Sequence, residues 1–379
     1  MLLNNKRILI IKPSSLGDIV HTLPVAHAIK RCFPNCFIGW VVQHPFALLL
    51  QADNSIDAVH PIQIPSASDP QAGRWALPKA FKATISTLQK LYREFQQKPY
   101  DLILDLHASF RSGLLGRTNP GGQRVGFSQA KELNTFFQEH LINTSETAEH
   151  AQDKNLLFCT YMGIRVADED FRLCTGEEDR QAMRQFLQSQ AADISPLIYA
   201  NPAARWQSKF WPIEHWAALT DKLHKQCLPV VFGGSPQDTE YIASIARLMK
   251  TDSIIAAGRL TLPQSAALIQ HASLYIGLDS GPMHIAALAR TPVVALFGPT
   301  HPNRVGPYST EGSKHRIIRA EELDCLECRK RSCSHLSCMR KISSEMVHEA
   351  AISLLRLPPT PGPAFEEHPN SRTNSHDIP

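Results

Sequence analysis

No stretch of the sequence approaches the roughly 18 consecutive apolar residues that a bilayer-crossing helix needs, which argues against a membrane-spanning chain. The opening "MLLNNKRILIIK" carries an apolar run too short for the core of a secretory signal. An excess of one charge is missing as well: 39 Lys and Arg stand against 35 Asp and Glu. A chain-wide basic field of the kind that marks nucleic-acid binders is therefore absent, and no nucleic-acid partner is expected. The nine cysteines lack the doubled Cys-x2-Cys pattern of a strong zinc motif. Without an export signal, a cytoplasmic, reducing setting is expected, in which thiols pack or bind metal before they form disulfides. Glycine, finally, is scarce where a dinucleotide fold would concentrate it. "ILIIKPSSLGDIVHTLP" runs an apolar strand through a turn into a helix, yet the turn holds one glycine, two serines and Asp18. The glycine-rich phosphate fingerprint is not there, and an acid at that place would repel a phosphate.

What is present describes an ordinary globular protein of two domains. The chain has 379 residues, 43% hydrophobic and 20% charged, long enough for two cores of about 150 to 200 residues each. "RILIIK", "CFIGWVV" and "YDLILDL" read as strands, with "IVHTLPVAHAIKRCF" a helix between the first two. After a polar segment around residues 165–195 the pattern begins again, with "PLIYANP", "PVVFGGS", "SIIAAG", "LYIGLDS" and "PVVALFGPT" as strands separated by helices. Apolar strands alternating with helices predict parallel sheets covered on both faces. The expected class is α/β, with two Rossmann-like halves facing each other across a cleft lined by turns at the strands' carboxyl ends. The boundaries are drawn at 1–175, 176–356 and a proline-rich polar tail, 357–379, that is expected to be disordered. Within the first half, "WALPKAFKATISTLQKLYREFQQ" sets Trp75, Phe81, Ile85, Leu88, Tyr92 and Phe95 at helical steps, with Lys79, Lys82, Lys90 and Arg93 elsewhere on the wheel. That is a helix covering the sheet, or a basic amphipathic helix resting on an anionic membrane.

Three turns carry chemistry. Asp18 suits the first turn of a helix, where the dipole favours an acid; Ser14 and Ser15 are at hand to cap that helix, which leaves the carboxylate available for other work. "LYIGLDSGPMH" delivers Asp279, Ser280 and Gly281 to a helix that Pro282 starts, with His284 in its first turn. Small residues at a helix start let backbone N–H groups approach an anion, and a diphosphate fits better than a single charge. "NPAARWQSKFWP" places Arg205 and Lys209 at a strand end beside Trp206 and Trp211, a pair of cations for a leaving group. "VFGGSPQDTE" adds Asp238, suited to ribose hydroxyls or to a tight turn and helix cap.

Taken together, "KPSSLGDIVHTLP", "YDLILDLHASFRSGLL", "RVGF", "ARWQSKFWP", "GGSPQD" and "GLDSGPMHIAALA" resemble the family-nine glycosyltransferases, the heptosyltransferases of the lipopolysaccharide inner core. The resemblance runs from about Lys6 to Val347. It implies the two-domain GT-B fold, an ADP-heptose donor, inversion at the anomeric carbon, a lipid-linked acceptor of the lipid A–Kdo type, and no cofactor or metal. It also implies work at the cytoplasmic face of the inner membrane. Asp18 then matches the family's catalytic base, and Ser14, Ser15 and Gly17 its acceptor-side turn. Lys209 matches the lysine that meets the donor phosphates. Asp279, Ser280, Gly281 and His284 match its donor-binding turn, which Arg205 and Asp238 would assist. Arg111 matches a basic residue facing the acceptor, and Arg74 is the other candidate there. A nucleotide-sugar epimerase, a transferase with another donor or acceptor, and a silent sugar-nucleotide binder are the alternatives.

"CLECRKRSCSHLSC" gathers Cys325, Cys328, Cys333 and Cys338. A structural zinc, a redox-sensitive staple and packed reduced thiols all suit it. The same segment resembles the cysteine-rich C-terminal part of the heptosyltransferase II branch.

Overall fold

The computed structural model describes residues 3–65, 76–130, 132–144, 148–190 and 196–356. Arg74, Trp75 and the tail 357–379 lie outside the described residues. Two six-stranded sheets form the frame. The first is built from β1 (Arg7–Ile11), β2 (Phe37–Gln43), β3 (Ala58–Ile62), β4 (Leu102–Asp105), β5 (Gln123–Phe127) and β6 (His140–Ile142). The second takes β7 (Ile198–Asn201), β8 (Val230–Phe232), β9 (Ile254–Ile255), β10 (Leu274–Leu278), β11 (Val293–Phe297) and β12 (His315–Arg319). All pairings are parallel, in the orders β3-β2-β1-β4-β5-β6 and β12-β11-β10-β7-β8-β9.

Alternation along the strands decides which core each side chain joins. Ile8 and Ile10 of β1 enter one apolar cluster and Leu9 and Ile11 another, on the opposite face. In β7, Ile198 and Ala200 point to a third cluster while Tyr199 turns into the first. That first cluster therefore runs without a break from one sheet to the other, so the two halves share a core.

The sequence predicts one helix over "IVHTLPVAHAIKRCF"; the structure has two, Leu16–Val20 and Leu23–Cys32. Pro24 cannot donate to the preceding turn and starts the second helix instead. The helix Ala76–Gln97 also sits differently from its apolar steps. Ala80, Thr87, Leu91 and Phe95 face the sheet, while Phe81, Ile85 and Tyr92 are exposed. Four strands, β3, β5, β6 and β12, were not expected; they carry Pro61, Gly126, two residues of β6 exposed to solvent, and Arg316 and Arg319, none of which makes an apolar strand pattern.

The segment 163–176 joins the halves and is latched to both. Arg31 donates to both Asp170 oxygens at 2.9 Å, and Arg172 to Ser55 Oγ at 2.9 Å. On the other side, Arg290 donates to the Asp168 carbonyl at 3.0 Å. Beneath the segment lies a fully buried pair, His27 Nε2 and Asp53 Oδ2, 2.6 Å apart. His27 Nδ1 is 2.6 Å from the Asp170 carbonyl, which only accepts. Burial works to raise the Asp53 pKa, but the His27 hydrogen bond and charge, with the Ser55 amide, overcome it and hold the carboxyl below its ordinary value. With both partners acceptors, His27 carries both ring protons and the pair is ionic.

Removing one member of such a pair strands the other's charge. Asp53→Asn should cost about 3 to 5 kcal/mol, read as a shift of the urea midpoint. Because the folded-state pKa is depressed, this stability is present above the unfolded carboxylate pKa and is lost as pH falls through the folded value. The variant should accordingly show a flatter acid limb than the parent.

Candidate active site

In each sheet the chain leaves the central strand in one direction and returns to grow in the other. The reversal falls between β1 and β4 in the first sheet and between β7 and β10 in the second. Crevices outside the carboxyl ends of strands at such reversals are where open α/β sheets bind ligands. The turns after β1 and β4 carry Ser14, Ser15, Gly17, Asp18, His107 and Arg111; those after β7 and β10 carry Arg205, Lys209, Asp279, Ser280, Gly281 and His284.

On the first side, Asp18 occupies the first turn of Leu16–Val20. Its Oδ2 accepts from the Ser15 amide at 2.9 Å and from Ser15 Oγ at 2.6 Å. The expected capping is thus reversed: Ser15 gives its hydroxyl proton to Asp18 instead of capping the helix itself. Oδ1 takes no hydrogen bond from the described residues and is free for a ligand. Lys12, at the end of β1, is buried, and its Nζ donates to the Leu106 carbonyl at 2.6 Å. Burial pushes the Asp18 pKa up; Lys12, the two Ser15 hydrogen bonds and His107 outweigh it, and the carboxyl is held below its usual value. Asp18 is therefore an ionised acceptor at neutral pH, with Lys12 behind it and out of contact; burial lowers the Lys12 pKa, and Asp18 and Asp105 work against that.

Asp105, at the end of β4, shapes the neighbouring turn. Its Oδ1 receives the amides of His107 and Ala108 at 3.0 Å, and Oδ2 receives Ser112 Oγ, Asn134 Nδ2 and Gln138 Nε2 at 2.7 to 3.1 Å. Arg111 stands in the first turn of the helix Phe110–Gly116, half-buried, beyond that turn.

On the second side, Lys209 Nζ donates to Asp279 Oδ2 at 2.6 Å and to the Asp279 carbonyl at 3.0 Å, and lies 4.7 Å from the centre of the Trp206 ring. Thr300 Oγ1 donates to the same Asp279 oxygen at 2.6 Å. Asp279 acts here as the anchor that aims Lys209. Asn201 bridges the turns, donating to the Ala203 carbonyl and to Ser280 Oγ. His284 lies buried in the helix Gly281–Leu288, and burial drives its pKa down to about 4. It is a neutral hydrogen-bonding group, not a cation.

The two sides touch. A Cβ on Gly17 would lie 2.6 Å from His284 Cδ2, and one on Gly281 would lie 2.6 to 2.8 Å from three Leu16 side-chain atoms. Only glycine at each place lets the helix starts pass so closely. Next to this contact His21 Nε2 and His284 Nδ1 are 3.0 Å apart, and His150 meets the His21 ring edge-on.

Other expected residues stand outside this cluster. Arg205 is exposed, with no hydrogen bond or ion pair among the described residues. Asp238 Oδ2 accepts from Ser235 N at 2.8 Å and Ser235 Oγ at 2.6 Å, the turn-and-cap alternative for that residue. Trp211 is fully buried, its Nε1 donating to the Ile342 carbonyl. Cys325 and Cys328 are exposed, Cys333 is half-buried and Cys338 buried. Among the described residues, the group that brings three ligand atoms within 4.8 Å of one another is His27, Asp53 and Cys174, not the cysteine run. Lys12, His21, Asp105, Asn201 and Thr300 belong to the site and were not singled out from the sequence.

The profile described as "Glycosyltransferase family 9 (heptosyltransferase)" matches residues 88–338. The lipopolysaccharide core heptosyltransferase OpsX of Haemophilus influenzae is 26% identical over 80% of this chain and 82% of its own. A family-nine glycosyl transferase from Veillonella parvula superposes with a TM-score of 0.78 at 26% identity, covering 94% of this chain and 98% of that one. The E. coli heptosyltransferase WaaC, solved with ADP, superposes at 0.68 with 21% identity, covering 92% and 99%. The architecture is the two-domain GT-B fold.

The glycine contacts make a direct test. Gly281→Ala should destabilise the chain by about 1 to 3 kcal/mol through overpacking, and Leu16→Ala in the same chain should recover only part of that loss, because its Cβ would still lie 2.8 Å from the new one. A double-mutant cycle on urea midpoints measures the coupling; additive losses would mean that Leu16 and Gly281 do not touch.

Proposed function

The chain belongs to glycosyltransferase family 9, and from that premise we propose that it transfers a heptose from ADP-heptose to the inner core of a lipopolysaccharide acceptor, with inversion and without a metal. The observation that carries this is the opposition of charge across the contact between the halves. An ionised Asp18 with a free Oδ1 stands at one topological reversal, and Lys209 with a helix start stands at the other.

Inversion needs a base on one face of the donor sugar and a stabilised leaving group on the opposite face. Asp18 Oδ1 takes the proton of an acceptor hydroxyl. The oxygen attacks the anomeric carbon, and the bond from that carbon to the diphosphate oxygen breaks with its electron pair leaving on ADP. Lys209 keeps one ammonium proton uncommitted by Asp279, and with the amide N–H groups at the start of Gly281–Leu288 it offsets the charge that develops. Lys12 keeps the base ionised while it waits. Protein cations thus fill the part a divalent ion would play. Arg111 faces the acceptor side, and Asp238 and Arg205 lie at strand ends on the donor side.

The acceptor is a lipid, and we assign the protein to the cytoplasmic face of the inner membrane, held peripherally. No helix among the described residues is long and apolar enough to cross a bilayer. Among the described residues, eight of the ten exposed large hydrophobic side chains belong to the first half, namely Leu48, Phe81, Ile85, Tyr92, Phe110, Leu133, Phe136 and Leu141. On the helix Ala76–Gln97 the exposed apolar residues stand next to Lys82 and Arg93, a pairing suited to anionic headgroups.

ADP release from ADP-heptose, with chelator present and with or without a purified inner-core acceptor, tests the proposal. Release should require acceptor, and Asp18→Asn should lower turnover by about 10²- to 10⁴-fold while donor affinity stays within about threefold. Donor turnover without acceptor would point to an epimerase; donor binding indifferent to Asp18, with no turnover, to a silent binder.

A further inference from the structure

The histidine pair at the contact between the halves has a polarity that can be worked out. His21 caps the end of Leu16–Val20, and His284 belongs to the first turn of Gly281–Leu288. Their rings meet edge-on, centres 4.2 Å apart and Nε2 to Nδ1 3.0 Å. One proton lies between the two nitrogens, and both rings are buried. His150 offers no second proton. Its Nδ1 accepts the Gln152 amide, so its own proton sits on Nε2, directed at the Gly306 carbonyl.

Two arrangements of neutral rings remain. If His284 donates from Nδ1, His21 must hold its proton on Nδ1, which is buried and has no partner among the described residues. A buried N–H without an acceptor costs about 1 to 3 kcal/mol, and orphaned donors are rarer than under-used acceptors. If His21 donates from Nε2, its bare Nδ1 is only an unused acceptor, and His284 keeps its proton on Nε2. That nitrogen looks out at Gly17, 3.1 Å from where a Cβ would stand, one residue before Asp18.

We propose that His21 is a positioning residue: it donates Nε2–H to His284 Nδ1 across the boundary between the halves and so fixes His284 as the tautomer whose Nε2–H serves the donor diphosphate. Donor recognition is thereby tied to contact between the halves, since the residue that sets the tautomer and the residue that uses it sit on helices that follow strands of different sheets. The burial that holds both rings neutral makes the choice of tautomer, rather than charge, the quantity that His21 controls.

This rests on His284 meeting the donor, so one readout is independent of any ligand. Two-bond ¹H–¹⁵N correlation spectra of the full-length chain, with His284 assigned by substitution, report which ring nitrogen carries the proton. Wild type should show Nε2 protonated and Nδ1 bare. His21→Phe keeps the ring but lacks the donor, and His284 should lose that preference. His21→Gln, whose amide nitrogen can stand where Nε2 stood, should restore it. In the transferase assay His21→Phe should raise KM for ADP-heptose about tenfold, with a smaller change in kcat, and His21→Gln should stay within about threefold of wild type. A wild-type His284 protonated on Nδ1 overturns the proposal even if His21→Phe fails to fold. So does a folded His21→Gln that falls as far as His21→Phe. A correct tautomer in wild type with no ADP-heptose turnover under any condition would leave the pairing standing and remove the donor assignment instead.

Discussion

Everything in the site hangs on how closely two helix starts pass each other. Gly17 lies against His284 and Gly281 against Leu16, so the turn that carries Asp18 and the turn that starts the helix Gly281–Leu288 meet without a side chain to keep them apart. Each glycine looks local in the sequence, yet each is required by a residue more than 260 positions away. The shared apolar core beneath, and the latch of residues 163–176 on both halves, set the approach that these glycines permit.

That closeness brings an electrostatic difficulty, because the ionised carboxylate of Asp18 would repel the anion proposed to bind at the facing helix start. The fold separates them by composition as well as by distance. Lys12 lies behind Asp18, buried, and Lys209 lies beside the helix start, tied to Asp279 and over Trp206. Between them stand neutral histidines, whose burial holds them uncharged. Lys12 thus faces Asp18 and Lys209 pairs with Asp279, so each side of the contact holds a lysine and an aspartate. The histidines contribute direction without charge, which keeps the field at Asp18 from being cancelled or reversed.

Much of this was legible in the sequence, and the remainder was hidden for identifiable reasons. Asp18, Lys209, Ser280, Gly281 and His284 could be singled out because each lies in the turn or short helix that comes after an apolar strand, and strand-to-helix turns are where α/β proteins bind ligands. Lys12 was passed over as the polar end of a strand; its burial depends on β4 arriving beside β1, a pairing 94 residues away that local pattern does not encode. His21 was absorbed into a supposed single helix, which Pro24 divides. Thr300 and Asn201 matter through Asp279 and Ser280, and such roles appear only when a third strand end is in place. The apolar steps of Ala76–Gln97 misled in the opposite sense: the periodicity is real, but the sheet takes Ala80, Thr87, Leu91 and Phe95, leaving Phe81, Ile85 and Tyr92 for another surface.

The limits of local pattern are plainest in a motif the chain uses twice. "SLGD" and "SPQD" fold into the same turn, the aspartate accepting from the serine amide at 2.9 and 2.8 Å and from the serine hydroxyl at 2.6 Å in both. Composition, spacing and hydrogen bonding do not tell Asp18 from Asp238. Topology does. Asp18 follows β1, a strand whose neighbours lead away in opposite directions, so it stands at a reversal with Lys12 behind it and the second half in front. Asp238 follows β8, one strand removed from the reversal between β7 and β10, and its Oδ2 is held by its own turn. The surroundings of a carboxylate are therefore not a property of the four residues that hold it; they are made by the strand order that decides what those residues face.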